Sequence, residues 1–132
     1  MSIAGSVLLD TSVIIDHLRG KDPSISRRLE ATPVLFVPVI AIGELVYGVC
    51  RSKFAQKGER QLRMFLEACV VVQTDEEAAH VFGRVKAELA ARGTPIPEND
   101  LWIASIAIRH NLPVATRDGH FSAVPGLAVE NW

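Results

Sequence analysis

The sequence predicts an α/β fold in which a mainly parallel sheet carries helices on both faces. Short apolar runs alternate with segments of helical periodicity along the whole chain. The runs are continuously apolar rather than alternating, which is the pattern of strands buried on both sides. The 132 residues are 48% hydrophobic, enough for one core and ordinary for a compact domain. No repeat, low-complexity tract or linker divides them, so residues 1–132 are expected to form a single domain.

Ser6-Val7-Leu8-Leu9 is the first strand, and it ends in Asp10, Thr11 and Ser12, residues that bond free first-turn N–H groups. Val13, Ile14, Ile15 and Leu18 then mark a short helix that Gly20 ends. Asp22-Pro23-Ser24 opens a second helix, with Asp22 or Ser24 as cap and Ile25 and Leu29 on its apolar side. Val34–Val37 is the next strand. Pro38 starts a helix carrying Val39, Ile40, Ile42, Leu45, Val46 and Val49; it is apolar nearly all round, which implies burial on most sides, and Glu44 is its one charged residue.

Arg51, Lys53, Lys57, Arg60 and Arg63 follow with Glu59 as the one acid among them, on a helix whose apolar seam is Leu62, Phe65, Leu66 and Cys69. Val70-Val71-Val72 is a third strand. Thr74-Asp75-Glu76-Glu77 starts a helix with acids in its first turn and Asp75 as a cap only; Val81, Phe82, Val85 and Leu89 face inward, and Gly93 stops it. The stiff Thr94–Pro97 connector launches a helix from Glu98 to His110. Pro113–Thr116 is a fourth strand, Arg117–Phe121 a turn or short helix, and Leu127-Ala128-Val129 a last edge strand.

Composition excludes several classes. The formal net charge of −1 does not mark a general nucleic-acid binder, so any such surface is local. Cys50 and Cys69 lack metal-ligand spacing and lie in apolar segments, as buried free thiols of a reducing compartment do. The start lacks a basic leader and a cleavage site, and the longest uncharged run, Ala31–Gly43, is too short and too rich in proline to span a bilayer. The expectation is a cytoplasmic protein without a membrane segment.

Four acids border the most apolar segments: Asp10, Glu44, Asp100 and Asp118. Parallel strands joined by right-handed crossovers end on one side of the sheet, and ligands bind outside those ends. Asp10 and Asp118 follow strand ends directly and belong at that rim. Strand direction alone does not bring Asp100 there, nor Glu44, which lies about two turns into its helix and points at protein. Singly, each acid has a structural explanation: caps for Asp10 and Asp118, a helix dipole for Asp100, a buried arginine for Glu44. Jointly, buried acids without basic partners must neutralise or hold a cation, and oxygen ligands select Mg²⁺ or Mn²⁺.

Leu8-Leu9-Asp10-Thr11-Ser12, Ile42-Gly43-Glu44-Leu45, Asn99-Asp100-Leu101-Trp102-Ile103-Ala104 and Ala115-Thr116-Arg117-Asp118 with Phe121 occur in this order over nearly the whole chain. With them the chain resembles the PIN-domain ribonucleases and, among these, the VapC-type toxins of bacterial toxin–antitoxin pairs. The resemblance implies a three-layer α/β/α sandwich whose Asp10, Glu44, Asp100 and Asp118 meet in one acidic catalytic pocket. It makes Asp10 and Asp100 the principal ligands of Mg²⁺ or Mn²⁺, with Glu44 and Asp118 completing the cage directly or through water. Ser12, Thr116 and Asn99 would orient those carboxylates, Asn99 having a helix cap as its alternative. The implied activity is endonucleolytic hydrolysis of RNA by metal-activated water, and the implied partners are a VapB-type antitoxin and a second copy in a homodimer. Arg51, Lys53, Lys57, Arg60, Arg63 and Arg117 are the candidate RNA-backbone contacts, with a solvated helix face as the plainer reading of the run.

His120 stands where many relatives carry a further acid, which weakens the case for a second tightly bound metal; it reads as a turn residue, with the scissile phosphate as its other candidate contact. The alternative to an enzyme is a non-catalytic PIN-like module that binds RNA or protein. Phosphatase-like and receiver-like folds fit less well: Ser12 stands where the former needs an aspartate, and the last lysine, Lys86, precedes the place where the latter needs one.

Overall fold

The computed structural model describes residues 4–132; residues 1–3 of the expected domain lie outside it. Five strands, β1 (Val7–Leu9), β2 (Leu35–Pro38), β3 (Val70–Val72), β4 (Val114–Thr116) and β5 (Val129–Asn131), form one sheet in the order β3-β2-β1-β4-β5. Every pairing is parallel, Leu8 lying opposite Phe36 on one side and Val114 on the other. Six helices flank it: α1 (Thr11–Leu18), α2 (Pro23–Ala31), α3 (Val39–Cys50), α4 (Ala55–Glu67), α5 (Glu76–Ala91) and α6 (Glu98–His110). A short 3₁₀ turn, Gly119–Ala123, follows β4.

Successive strand side chains point to opposite faces, so a strand buried at every residue has both faces covered. Val7, Leu8 and Leu9 are all at most 1% exposed, and Val114, Ala115 and Thr116 are fully buried, as their unbroken apolar runs require. β3 differs: Val70 and Val71 are 46% and 38% exposed because this strand is the sheet's edge. The helical layer closes the core with Val13, Ile14, Ile25, Leu29, Leu89, Ile103 and Ile106.

Most elements fall where the sequence puts them, and α6 spans the residues expected of it. Pro38 both ends β2 and N-caps α3; its φ of −71° and ψ of 142° suit an extended residue before a first turn. β5 begins at Val129, two residues later than expected, and Trp132 N–H reaches back to the Thr116 carbonyl at 3.0 Å. The basic segment is split, Arg51 capping α3 and the rest preceding or lying on α4. Gly58 lets these helices approach: a Cβ there would lie 3.4 Å from a Val49 methyl.

Three expectations need correction. Helix α3 is not buried on most sides. Only Ala41 and Leu45 are buried, while Val46 and Tyr47 are 45% and 63% exposed, because one side meets the core and, among the described residues, nothing covers the other. Cys50 is exposed on that uncovered side; Cys69 is half-buried, its thiol donating to the Phe65 carbonyl and pushed up to about 11 by burial. Asp75 does cap α5 by accepting the Ala78 N–H, but it also pairs with Arg109 at 3.3 Å.

That pair belongs to a series. Asp75 meets Arg109, Phe82 stacks on Trp102 at 3.9 Å, and Lys86 meets Glu98 at 3.0 Å. Contacts that descend one helix as they ascend the other make α5 and α6 an antiparallel hairpin. The 92–97 connector is its tip, and it returns the chain so that α6 opens beside the end of β4.

Candidate metal centre

The strand order reverses direction at β1, whose neighbours are β2 and β4, and the crevice outside such a reversal is where open α/β sheets bind ligands. Asp10 leaves β1 there and its N–H pairs with the Ala115 carbonyl of β4 at 3.0 Å. Asp10 is 3% exposed and both its carboxylate oxygens are held: Oδ1 accepts the Thr11 N–H at 2.7 Å, and Oδ2 accepts the hydroxyls of Ser12 at 2.8 Å and Thr116 at 2.7 Å. The cap expected of Asp10 is therefore present, but at the floor of a crevice. The Thr116 hydroxyl also accepts the Asp118 N–H at 2.8 Å, and the Ser12 hydroxyl accepts the Arg117 N–H at 3.2 Å.

Asp118 caps the 3₁₀ turn by accepting the His120 N–H at 2.8 Å, which folds His120 back over the crevice. His120 Nδ1 then sits 3.0 Å from Asp100 Oδ2 and 2.9 Å from Asp118 Oδ1. His120 is thus a bridge between two site carboxylates as well as a turn residue. Burial pushes the Asp100 carboxyl up to about 6, against the His120 hydrogen bond and with help from the Asp10 and Asp118 charges. His120 is raised in turn, first by its bond to Asp100.

Glu44 comes to the same end of the sheet from α3. The Thr11 hydroxyl donates to its Oε1 at 2.8 Å, so Thr11 holds Asp10 through its backbone and Glu44 through its side chain. Thr11 is a positioning residue that sequence reasoning missed; the available signal was a third polar residue in the Asp10-Thr11-Ser12 run. Asn99 lies exposed in the first turn of α6, whose cap position is Pro97.

The candidate backbone contacts divide into two groups. Arg51, Lys53, Lys57, Arg60 and Arg63 are exposed and, among the described residues, make no ion pair; Arg51 packs on the Tyr47 ring and bonds its hydroxyl at 3.1 Å. Arg117 instead pairs with Asp16 at 3.7 Å and with Asp22, tying the end of β4 to α1 and α2. The Ser24 hydroxyl and N–H, with Arg117 behind them, hold the Asp22 carboxyl down to about 2.

Asp100, Asp118 and His120 offer ligand atoms within 4.8 Å of one another. That span fits the shell of one divalent cation, whose bonds are about 2.0–2.2 Å long. Asp10 presses on Asp100 electrostatically from the crevice floor, and a cation would relieve the carboxylate crowding.

The profile of the family described as PIN domain matches residues 7–127. The chain is 30% identical over 129 residues to ribonuclease VapC2 of Rickettsia felis, covering 95% of this chain and 96% of that one. It is 31% identical over 127 residues to the tRNA(fMet)-specific endonuclease VapC of Salmonella typhimurium, with the same coverage. Among solved structures, VapBC2 of R. felis bound to a promoter DNA fragment matches with a TM-score of 0.91 at 28% identity, over 96% of this chain and 98% of that one. FitAcB of Neisseria gonorrhoeae matches with a TM-score of 0.85 at 30% identity, over 95% and 96%. Fold, ordered motifs and full-length similarity agree: the chain belongs to the PIN-domain family and, within it, to the VapC ribonucleases.

Proposed function

We propose that this protein is the RNA-cleaving toxin of a toxin–antitoxin pair, cutting internal phosphodiester bonds with Mg²⁺ or Mn²⁺ held at the β1–β4 crevice. Convergence of Asp100 and Asp118 from α6 and β4 on the crevice floored by Asp10 carries this reading. Asp10 and Asp100 are its principal ligands, with Glu44 and Asp118 acting directly or through water. When bound, the cation supplies the positive charge that offsets charge developing on the phosphate and activates water for in-line attack.

The chain's own residues prepare that chemistry. Ser12, Thr11 and Thr116 fix the carboxylate rotamers, so the ligands need no rearrangement on binding. An acidic crevice repels RNA until cation is present, and the unpaired belt from Arg51 to Arg63 offers the backbone a second anchor. Hydrolysis of this kind leaves a 5′-phosphate and a 3′-hydroxyl. A solved relative at 30% identity, VapBC-5 of Mycobacterium tuberculosis, is a member of the VapBC family of toxin–antitoxin systems, which supports such a partner here. A groove of about 230 Å³ between α1, α3 and α4, lined by Ile15, Leu18, Leu45 and Val49 and by the charged Arg19 and Glu44, offers that partner a surface. The uncovered Val46–Tyr47 side of α3 suits a homodimer contact. Among the described residues no helix is long and apolar enough to cross a membrane, and we place the activity in the cytoplasm, with its RNA.

The test is RNA cleavage by purified protein with and without Mn²⁺ or Mg²⁺, beside the Asp100→Asn variant. Cation-dependent cleavage lost in the variant is the expected result. Wild-type rates in Asp100→Asn would remove the site assignment.

A further inference from the structure

A site of carboxylates alone suits Mg²⁺ and Mn²⁺ alike, but this crevice also holds an imidazole. His120 Nδ1 lies within 3.0 Å of both Asp100 Oδ2 and Asp118 Oδ1, so the three side chains offer donor atoms close enough to share one cation. The ring is brought there by its own backbone, since the His120 N–H is bound to Asp118 Oδ1 at 2.8 Å. Against ionised carboxylates Nδ1 carries the proton; a bound cation would replace that proton, and the ring, keeping its other proton on Nε2, would turn its Nδ1 lone pair to the cation without any backbone movement.

We propose that His120 is a metal ligand, making this a mixed nitrogen–oxygen centre that prefers Mn²⁺ to Mg²⁺. The inference rests on the metal reading given above and refines which ion the centre takes. Imidazole nitrogen strengthens binding of Mn²⁺ and later first-row ions but adds little for Mg²⁺, which selects oxygen and water. The side chain is half-exposed at the crevice mouth, so it has room to adjust its ring as a ligand enters. No other described histidine competes for the role. His17 bonds Ser26, His80 pairs with Glu76, and His110 lies at the far end of α6 from Asp100.

The experiment uses tag-free full-length protein loaded with Mn²⁺, read by pulsed electron paramagnetic resonance for nitrogen coupling and by titration calorimetry against Mn²⁺ and Mg²⁺. Wild-type protein should show one histidine nitrogen coupled to Mn²⁺, and His120→Gln should lose it. His120→Asp restores an all-oxygen set and should lower the preference for Mn²⁺ over Mg²⁺ about tenfold, the scale on which groups around a metal tune affinity. Thermal melts of both variants at this exposed position check that the fold persists. Mn²⁺ binding without nitrogen coupling, or an unchanged ion preference in His120→Asp, overturns the inference and leaves the metal centre standing. Failure of wild-type protein to bind either ion overturns both.

Discussion

Thr116 Oγ1 donates to Asp10 Oδ2 at 2.7 Å and, on its other side, accepts the Asp118 N–H at 2.8 Å. One buried hydroxyl therefore fixes the carboxylate at the end of β1 and the backbone that aims the carboxylate after β4. Thr116→Val keeps the shape of the side chain but removes both bonds, leaving a buried carboxylate oxygen short of a donor and an N–H without its partner. The expected cost is about 1–3 kcal/mol in chemical denaturation, with RNA cleavage down by at least tenfold. A variant as stable and as active as wild type would show that the hydroxyl positions nothing.

Asp100 provides a pH test. Its folded-state value of about 6 lies above the unfolded 3.8, so the folded protein holds this proton more tightly and stability falls as pH rises between those values. Above about pH 6 the carboxylate is charged at a cost that a bound cation relieves. In EDTA at pH 8, Asp100→Asn should melt above wild type by the equivalent of about 1–2 kcal/mol. Adding Mn²⁺ should raise the wild-type melting temperature and leave the variant unmoved. A variant that melts below wild type in EDTA would contradict the burial penalty.

Arg117 is a tether in the structure, bound by Asp16 and Asp22. Arg117→Ala should then cost about 1 kcal/mol, toward the upper end for a partly exposed pair, and weaken RNA binding only slightly. Unchanged stability with a large loss of RNA affinity would instead make it the backbone contact that its sequence position suggests.

For the α3–α4 belt the readout is salt. In an Asp100→Asn background that prevents cleavage, replacing Lys53, Lys57 and Arg60 by Gln should reduce the slope of log affinity against log salt by about 2, since each phosphate contact contributes about 0.7 on single strands. An unchanged slope assigns the belt to a solvated helix face.

Periodicity was decisive wherever one residue type had one possible environment. The all-apolar runs at Val7–Leu9 and Val114–Ala115 specify strands covered on both faces, and the structure buries them so. The same reasoning failed at α3 and at Cys50, because an apolar composition states what a helix can bury and not what the rest of the chain supplies to cover it. At His120 it was incomplete: the residue lies in the turn as read, and its side chain also closes over two acids, one of them twenty residues away in sequence.

By itself the sequence determined the α/β alternation, the parallel sheet, and which residues end β1 and β4 at a shared rim. It singled out four candidate acids through the order of their motifs, but not their geometry. Tertiary structure decided that geometry. The antiparallel α5–α6 hairpin brings Asp100 back to the rim, and the Thr11 hydroxyl draws Glu44 toward Asp10. Local patterns fix a strand end because backbone direction follows from pairing, whereas the meeting of Asp10, Asp100 and His120 depends on long-range packing that no stretch of chain encodes alone.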